Sequence, residues 1–256
     1  MWDCVSIMTD SINSLINTLE YEASRLDIQL NNNQKKLFEE YASLLLNWNQ
    51  RASITNITYS DSIAKRLFFE SLSLLITLQK NTTFSDNYMP KVADIGSGGG
   101  FPGIPMYIIA PYMRLSLIEA HQRKSKFLNH VVKELGLNNV NVISERIENV
   151  GRNPKFREGF DIVVARALAP LNVLTEYALP LTRLNGILAT PKGSRVEQEI
   201  TNAQNAILEL GGTLLKPIPL PLPDDVLPQH VVIIRREKAL YKRYQRRNGL
   251  PKKGPI

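Results

Sequence analysis

The sequence lacks the features that mark secreted, membrane-spanning and metal-dependent proteins. Cys4 is the single cysteine among 256 residues, which excludes an internal disulfide framework and a cysteine-cluster metal site. His121, His130 and His230 are too scattered to predict a zinc site, so we expect no metal. No run of about 18 apolar residues occurs, and the N-terminal residues lack the basic start and apolar core of a secretion signal. We therefore predict a cytoplasmic protein without a membrane partner.

A glycine-rich turn after a short apolar run is the most informative feature that is present. Residues 92–95 predict a buried parallel strand, and four glycines follow within the next five positions. At Gly96 and Gly98 the missing Cβ permits a positive φ and lets a ligand approach the backbone amides. The next apolar run ends at Glu119, where a carboxylate can meet ribose hydroxyls. The turn therefore indicates a site for a nucleotide-type ligand.

Two ligand classes fit this turn. The G-x-G-x-x-G pattern of dinucleotide-binding proteins, which has many false matches, is satisfied by Gly98, Gly100 and Gly103. A dinucleotide requires free amides at a helix start for its pyrophosphate, whereas Pro102 and Pro105 have none to donate. S-adenosyl-L-methionine carries no pyrophosphate and is compatible with these prolines. Together with Asp94, an acid inside the strand, they favour S-adenosyl-L-methionine.

The remaining pattern predicts an α/β fold. Amphipathic stretches indicate helices over 10–28, 33–50 and 62–78. Short apolar runs then alternate with helix-length segments, as in a Rossmann-like, mostly parallel sheet. We predict seven strands with an antiparallel last strand, over residues 92–95, 115–119, 140–143, 161–165, 186–190, 213–220 and 231–235.

The positive charge is concentrated at the C-terminal end. Residues 235–256 contain nine basic residues and one acid, Glu237, while the other 234 residues carry a net charge of −1. Tyr241 and Tyr244 lie among the cations and can stack on unpaired bases. We predict that this tail binds a nucleic-acid backbone; the alternative is a disordered basic end without a specific partner. The predicted domains are a helical extension over 1–60, a methyltransferase domain over 61–236 and a basic RNA-binding tail over 237–256.

Several motifs together resemble a single family. Over residues 37–256 the chain resembles the RsmG family (glucose-inhibited division protein B), which methylates N7 of a guanine in bacterial 16S ribosomal RNA. The segments that carry the resemblance are Leu46–Gln50, Ile54–Thr58, Asp94–Pro105, Arg123–Leu128, Ala165–Ala167, Leu210–Gly212 and Gly249–Ile256.

The resemblance implies a class I methyltransferase fold that uses S-adenosyl-L-methionine. The implied target is a guanine in the 530 loop, and the expected partner is 16S rRNA, the 30S subunit or an assembly intermediate. We expect a monomer. The predicted donor-binding residues are Asp94, Gly96, Gly98, Phe101, Glu119, Ile147, Glu148 and Arg166. For the acids Asp94 and Glu119, a purely structural role is the alternative.

Arg166 is the candidate for positioning the reacting groups, because it follows a predicted strand at the edge where ligands bind. Its alternative role is a structural ion pair. Guanine N7 has an in-plane lone pair, so its methylation requires no general base. Consistently, the sequence has no Asn- or Asp-Pro-Pro-aromatic motif for exocyclic amines and no cysteine after the later strands. Methyltransferases acting on other nucleic acids or on small molecules remain the alternative.

Further basic residues are candidates for contact with RNA, with solvated surface positions as the alternative. They are Lys192, Arg123, Lys124, Arg243, Arg246, Arg247, Lys252 and Lys253. The chain also departs from the family pattern at three positions. Leu67 and Glu70 stand where the family usually has His and Asp, and Gln229 replaces a residue that is often Arg.

Overall fold

Residues 2–82, 89–241 and 243–256 are described by a computed structural model, and they contain a mixed sheet covered by helices on both faces. The strands form where the sequence has short apolar runs. They are β1 (Lys91–Ile95), β2 (Arg114–Ile118), β3 (Val140–Ile143), β4 (Phe160–Val164), β5 (Thr182–Lys192), β6 (Gly212–Leu214), β7 (Ile218–Pro219) and β8 (His230–Arg236).

The sheet has the order β3-β2-β1-β4-β5-β8-β6, with β7 paired to β8. Strands β1 to β5 are parallel, and β8 runs antiparallel to β5, β6 and β7. The predicted mostly parallel sheet with an antiparallel last strand is therefore confirmed. The chain order reverses at β1, which lies between β2 and β4. This reversal opens a crevice at the carboxyl ends of the strands.

The described sheet has eight strands and not the predicted seven. The single strand predicted over 213–220 is divided into β6 and β7. Pro217 and Pro219 lie in this segment and lack the N–H that a ladder requires, which explains the interruption.

The described helices are α1 (Trp2–Ser24), α2 (Asn32–Ala52), α3 (Ser60–Ile63), α4 (Glu70–Asn81), α5 (Gly103–Ile109), α6 (Gln122–Glu134), α7 (Ile147–Arg152), α8 (Leu171–Ala178), α9 (Val196–Glu209) and α10 (Leu250–Lys253). The single helix predicted over 62–78 contains a π-helical segment, Ala64–Phe69, between α3 and α4. Such widened turns often occur at functional sites. In the described ranges, no helix is both long and apolar enough to cross a membrane.

The N-terminal helices pack on one face of the sheet. Leu15 of α1 and Phe38 of α2 are fully buried in the same apolar cluster as Ile104 and Leu117 from the sheet domain. Helix α2 begins at a capping box, in which Asn31 Oδ1 accepts the Gln34 N–H at 2.9 Å. This packing holds α2 directly against the glycine turn that follows β1.

The C-terminal tail is folded onto the domain. Tyr244 and Gln245 are each only 5% exposed, and the tail ends in helix α10. Lys242, one of the basic residues of this tail, lies outside the described residues. The basic tail is therefore docked, which disagrees with the alternative of a disordered end.

Candidate active site

Two adjoining clefts lie at the carboxyl edge of the sheet and share the loop that follows β4. We call the first the glycine-loop cleft; it has a volume of about 360 Å³ and is lined by Gly96, Glu119, Ile147, Glu148 and Tyr177, among others. We call the second the Lys192 cleft; it has a volume of about 540 Å³ and is lined by Arg66, Glu70, Pro191, Lys192 and Gln229, among others. Residues 166–168 belong to the walls of both clefts.

The glycine turn is shaped by close backbone packing. Gly96 has φ +68°, and a Cβ built there would lie 2.5 Å from Leu168 Cδ1. A side chain at this position would therefore meet both backbone strain and the leucine. The Gly96 N–H donates to the Ile118 carbonyl at 2.8 Å, which ties the turn to the end of β2. The turn brings β1 and β2 together at the cleft floor.

Glu119 stands at the end of β2 and faces this turn. The residue is 9% exposed, and its carboxylate accepts the Gly98 N–H at 2.9 Å and the His121 N–H at 2.7 Å. A carboxylate has about four acceptor positions, so two amide bonds leave capacity for a ligand's hydroxyl donors. Glu119 is thus oriented by the loop and borders the cleft.

Asp94 lies beneath the turn, inside the protein. The side chain is fully buried, and its Oδ2 accepts the Gly103 N–H at 2.9 Å at the start of α5. Oδ1 has no hydrogen-bond partner among the described residues. Burial raises the pKa of the Asp94 carboxyl to about 7, although the bond from Gly103 and the charge of Arg166 favour its ionised form.

Arg166 connects the two clefts. Its guanidinium lies over the Phe101 ring, 5.3 Å from the centroid, and its Nη1 donates to the Arg66 carbonyl at 2.6 Å. The same group lies 3.6 Å from a carboxylate oxygen of Glu70. The following residue, Ala167, has φ +51°, which turns the chain sharply after β4. Ring, carbonyl and carboxylate together fix the guanidinium at the shared wall.

The Lys192 cleft contains two of the positions that depart from the family pattern. Gln229 donates to Glu70 Oε2 at 3.1 Å, while the third position, Leu67, is buried in the core. Lys192 ends β5 and donates to the Ala169 carbonyl at 2.9 Å and to Glu199 at 2.7 Å. Its ammonium is therefore already engaged within the protein.

The far wall of the glycine-loop cleft comes from α7 and from the C-terminal tail. Ile147 and Glu148 begin α7, and Glu148 is 4% exposed. The Gly249 N–H donates to Glu148 Oε1 at 2.9 Å, and Gly249 and Lys252 both line the cleft. The tail therefore forms part of the same cleft as the glycine turn.

The structure brings together five of the eight predicted donor-binding residues as cleft lining: Gly96, Glu119, Ile147, Glu148 and Arg166. Gly98 contacts this group through Glu119, Phe101 through Arg166, and Asp94 supports the turn from below. Sequence reasoning missed Leu168, Tyr177 and Gly249. Leu168 and Tyr177 are ordinary apolar and aromatic residues without a local pattern, and Gly249 lies in the tail motif, which by itself indicates no contact with the cleft.

The predicted RNA-contact residues are dispersed. Lys124 and Lys252 line the glycine-loop cleft, Lys192 lines the second cleft, and Arg123 lines a separate groove beside Trp48. Two tail arginines are engaged within the protein: Arg243 with Glu209, and Arg246 with Glu176 through two hydrogen bonds. Arg247 and Lys253 are exposed. Over the described residues, no cluster of three or more potential ligands suggests a metal site.

Comparison with known proteins gives matches along nearly the whole chain. A family model described as GidB, rRNA small subunit methyltransferase G, matches residues 34–216. A protein of Lactococcus lactis named Ribosomal RNA small subunit methyltransferase G is 37% identical over 234 residues, 91% of this chain and 95% of that protein. A protein of the same name from Desulforamulus reducens is 37% identical over 245 residues, 96% of this chain and 100% of that protein.

Solved structures resemble the fold at low sequence identity. A Corynebacterium glutamicum protein matches with a TM-score of 0.51 at 16% identity, covering 87% of this chain and 98% of that one. TYW2 of P. horikoshii, solved in complex with MeSAdo, matches with a TM-score of 0.50 at 13% identity, covering 66% of this chain and 62% of that one. These likenesses concern the fold alone.

Proposed function

The chain belongs to the GidB family of rRNA small subunit methyltransferase G, and we propose that it methylates N7 of a guanine in the 530 loop of 16S rRNA. The family membership confirms the predicted class I methyltransferase fold and the predicted donor, S-adenosyl-L-methionine. The proposal adds the base, the atom and the residues that perform the reaction.

One observation carries the proposal: the two clefts are adjacent and share the wall formed by residues 166–168. A methyl transfer requires two sites that meet, one for the donor and one for the acceptor base. We assign the glycine-loop cleft to the donor and the Lys192 cleft to the guanine. Arg166 then stands where the two ligands approach each other.

The residues of the glycine-loop cleft fit the donor. Gly96 leaves a bare backbone, Glu119 retains acceptor capacity for ribose hydroxyls, and Ile147 offers an apolar surface beside an adenine. Asp94 has a buried oxygen without a partner in the described structure, close under the turn. When bound, S-adenosyl-L-methionine supplies an electrophilic methyl group on a sulfonium.

Catalysis in this proposal is mainly alignment. The lone pair of guanine N7 is available at neutral pH, so the protein has to hold the base in line with the methyl group and exclude water. Arg166 is suited to this task because Phe101, Arg66 and Glu70 restrict its movement. Its free donor capacity faces an electron-rich edge of the base, such as O6.

Lys252 lines the donor cleft, and Arg247 and Lys253 are exposed positions of the same tail; all three are proposed to contact RNA phosphates. A looped-out base suits the Lys192 cleft, because sequence-specific RNA recognition mostly targets unpaired bases. We further propose that the protein acts as a monomer, in the cytoplasm where ribosomes assemble. The acceptor is a 30S subunit or an assembly intermediate, with 1–60 as a helical extension and 237–256 as the RNA-binding tail.

The test is tritium transfer from labelled S-adenosyl-L-methionine to 30S subunits that lack 7-methylguanosine, compared with naked 16S rRNA. Label found as 7-methylguanosine in the 530 loop of either substrate supports the proposal and identifies the preferred substrate. Donor binding without label in any rRNA would overturn it and favour a methyltransferase for other nucleic acids or small molecules.

A further inference from the structure

The C-terminal tail contributes to the donor cleft as well as carrying positive charge. Gly249 and Lys252 line the glycine-loop cleft opposite the glycine turn, and the Gly249 N–H donates to the Glu148 carboxylate at 2.9 Å. We propose that residues 249–252 are a structural part of the donor-binding site, so that donor binding and docking of the tail are coupled. This inference rests on the proposed assignment of the glycine-loop cleft to the donor.

Specific contacts hold the tail in this position. Arg246 makes two hydrogen bonds to Glu176, whose side chain is 0% exposed. Without Arg246 this carboxylate would be a buried charge lacking its partner, an arrangement that strongly destabilises a protein. Arg246 also donates to the Gly254 carbonyl at 2.9 Å, which fixes the end of the tail. The pair therefore anchors both sides of α10.

A second anchor lies on α7, the helix that provides the cleft's far wall. Arg152 donates to the Arg246 carbonyl at 2.9 Å and to Asn248 Oδ1 at 2.8 Å. Beneath it, Gln245 packs so closely that a Cβ built on Gly151 would lie 2.7 Å from its Oε1. Since α7 also carries Ile147 and Glu148, the tail and the far wall of the cleft are packed as one unit.

The hydrogen bond from Gly249 connects the tail to Glu148, which lines the glycine-loop cleft. Glu148 is 4% exposed, so its carboxylate depends on protein donors for its stability. Gly249 supplies one donor and, with φ +81°, turns the chain so that α10 returns along the cleft. Removal of the tail would open one wall and leave Glu148 without this amide. The donor would lose contact area and the wall would lose its fixed position.

Coupling between two binding events is reciprocal. A bound donor must therefore hold the tail more firmly, just as the docked tail strengthens donor binding. The tail also carries the cations proposed to contact RNA, Lys252 among them. Its removal is expected to lower donor affinity even without RNA, which a tail serving RNA alone would not do.

The experiment measures binding of S-adenosyl-L-homocysteine, the unreactive product, by calorimetry in the absence of RNA. The full chain is compared with a chain ending at Asn248 and with the Lys252→Ala variant. We expect binding to weaken about tenfold in the truncated chain, because the ligand loses the cleft wall formed by the tail, and less in Lys252→Ala. The matched control is Lys238→Ala, which removes an exposed tail lysine remote from the cleft.

Limited trypsin digestion of the full chain gives a second readout that needs no variant. We expect S-adenosyl-L-homocysteine to slow cleavage after Arg247 and Lys252. Equal affinity in the full and truncated chains, or cleavage rates unchanged by the ligand, would overturn the inference and leave the proposed function intact. Failure of the full chain to bind the ligand at all would overturn both. If the truncated chain does not fold, Lys252→Ala and the digestion decide.

Discussion

The hydroxyl of Tyr41 in α2 donates a hydrogen bond to the carbonyl of Gly99 in the glycine turn. Tyr41 is fully buried and stacks on Phe101, with ring centroids 5.4 Å apart. The N-terminal extension is thus bonded directly to the loop assigned to the donor. Arg166 lies against the same Phe101 ring, so helix, loop and cleft wall form one continuous packing unit.

We predict that Tyr41→Phe weakens both folding and donor binding. The Gly99 carbonyl would be left without its donor, at a cost of about 1–3 kcal/mol in the free energy of unfolding. Donor affinity should fall several-fold because the turn is less firmly placed. Chemical denaturation and calorimetry measure the two effects.

The control for this variant is Tyr107→Phe. The Tyr107 hydroxyl accepts the Asn139 N–H at 3.3 Å, at the amino ends of the parallel strands and away from the clefts. This variant should lose stability but retain donor affinity. Equal donor affinity in Tyr41→Phe and the wild type would show that the extension does not position the turn.

Glu119→Gln should weaken donor binding by about tenfold to a hundredfold, because hydrogen bonds to a charged group contribute roughly 1.5–3 kcal/mol. Glutamine retains one acceptor oxygen and replaces the other by a donor, which would face the amide of either Gly98 or His121. Calorimetry with S-adenosyl-L-homocysteine measures the change. The control, Glu134→Gln, alters an exposed carboxylate at the end of α6 and should bind normally. An unchanged affinity for Glu119→Gln would assign this acid a structural role.

Arg166→Lys should reduce the rate of methyl transfer at saturating donor and RNA, by about tenfold or more. Lysine retains the charge but lacks the planar group that stacks on Phe101 while bonding to Arg66. Single-turnover kinetics separate this effect from binding. The control is Arg183→Lys, which alters an ion pair with Asp161 at the opposite edge of the sheet. A wild-type rate for Arg166→Lys would remove Arg166 from the mechanism.

Asp94 gives a prediction about pH. Its pKa is raised by burial to about 7 from an ordinary value of 3.8, so between these values the folded protein holds a proton that the unfolded chain releases. The stability contributed by this protonated group is complete below about pH 4 and is lost as the pH rises through 7. Asp94→Asn cannot ionise and can still accept the Gly103 N–H.

The stability of Asp94→Asn relative to the wild type should therefore increase by a few kcal/mol between pH 4 and pH 8. Urea denaturation at each pH measures it. Asp225→Asn is the control, since Lys65 lowers the pKa of that exposed carboxyl below its ordinary value of 3.8, so its stability relative to the wild type should stay nearly constant between pH 4 and pH 8. A constant difference between Asp94→Asn and the wild type would mean that Asp94 is ionised throughout this range.

Much of the fold follows from the sequence, because local patterns determine it. Apolar runs of strand length predicted the parallel sheet and the position of the antiparallel last strand. Contacts between residues far apart in the sequence could not be predicted in this way. The basic composition of the tail predicted RNA binding, but the hydrogen bond between Glu148 and Gly249 joins positions 101 residues apart and leaves no sequence pattern. The pairing of Arg246 with a buried Glu176 was hidden for the same reason.

The Lys192 cleft shows the same limit. Arg66, Glu70 and Gln229 come from a π-helical segment, the start of a helix and the residue before the last strand. Only the folded domain brings them together. The sequence predicted Arg166 at this edge because a residue directly after a central parallel strand lies at the switch point.

The central claim is that the protein methylates N7 of one guanine in the 530 loop. The most direct measurement uses isotope-labelled S-adenosyl-L-methionine and 30S subunits lacking this modification, followed by nuclease digestion and mass spectrometry of the labelled fragment. The account predicts one labelled 7-methylguanosine, located in the 530 loop. Label on another base, at another atom of guanine or outside that loop would contradict it.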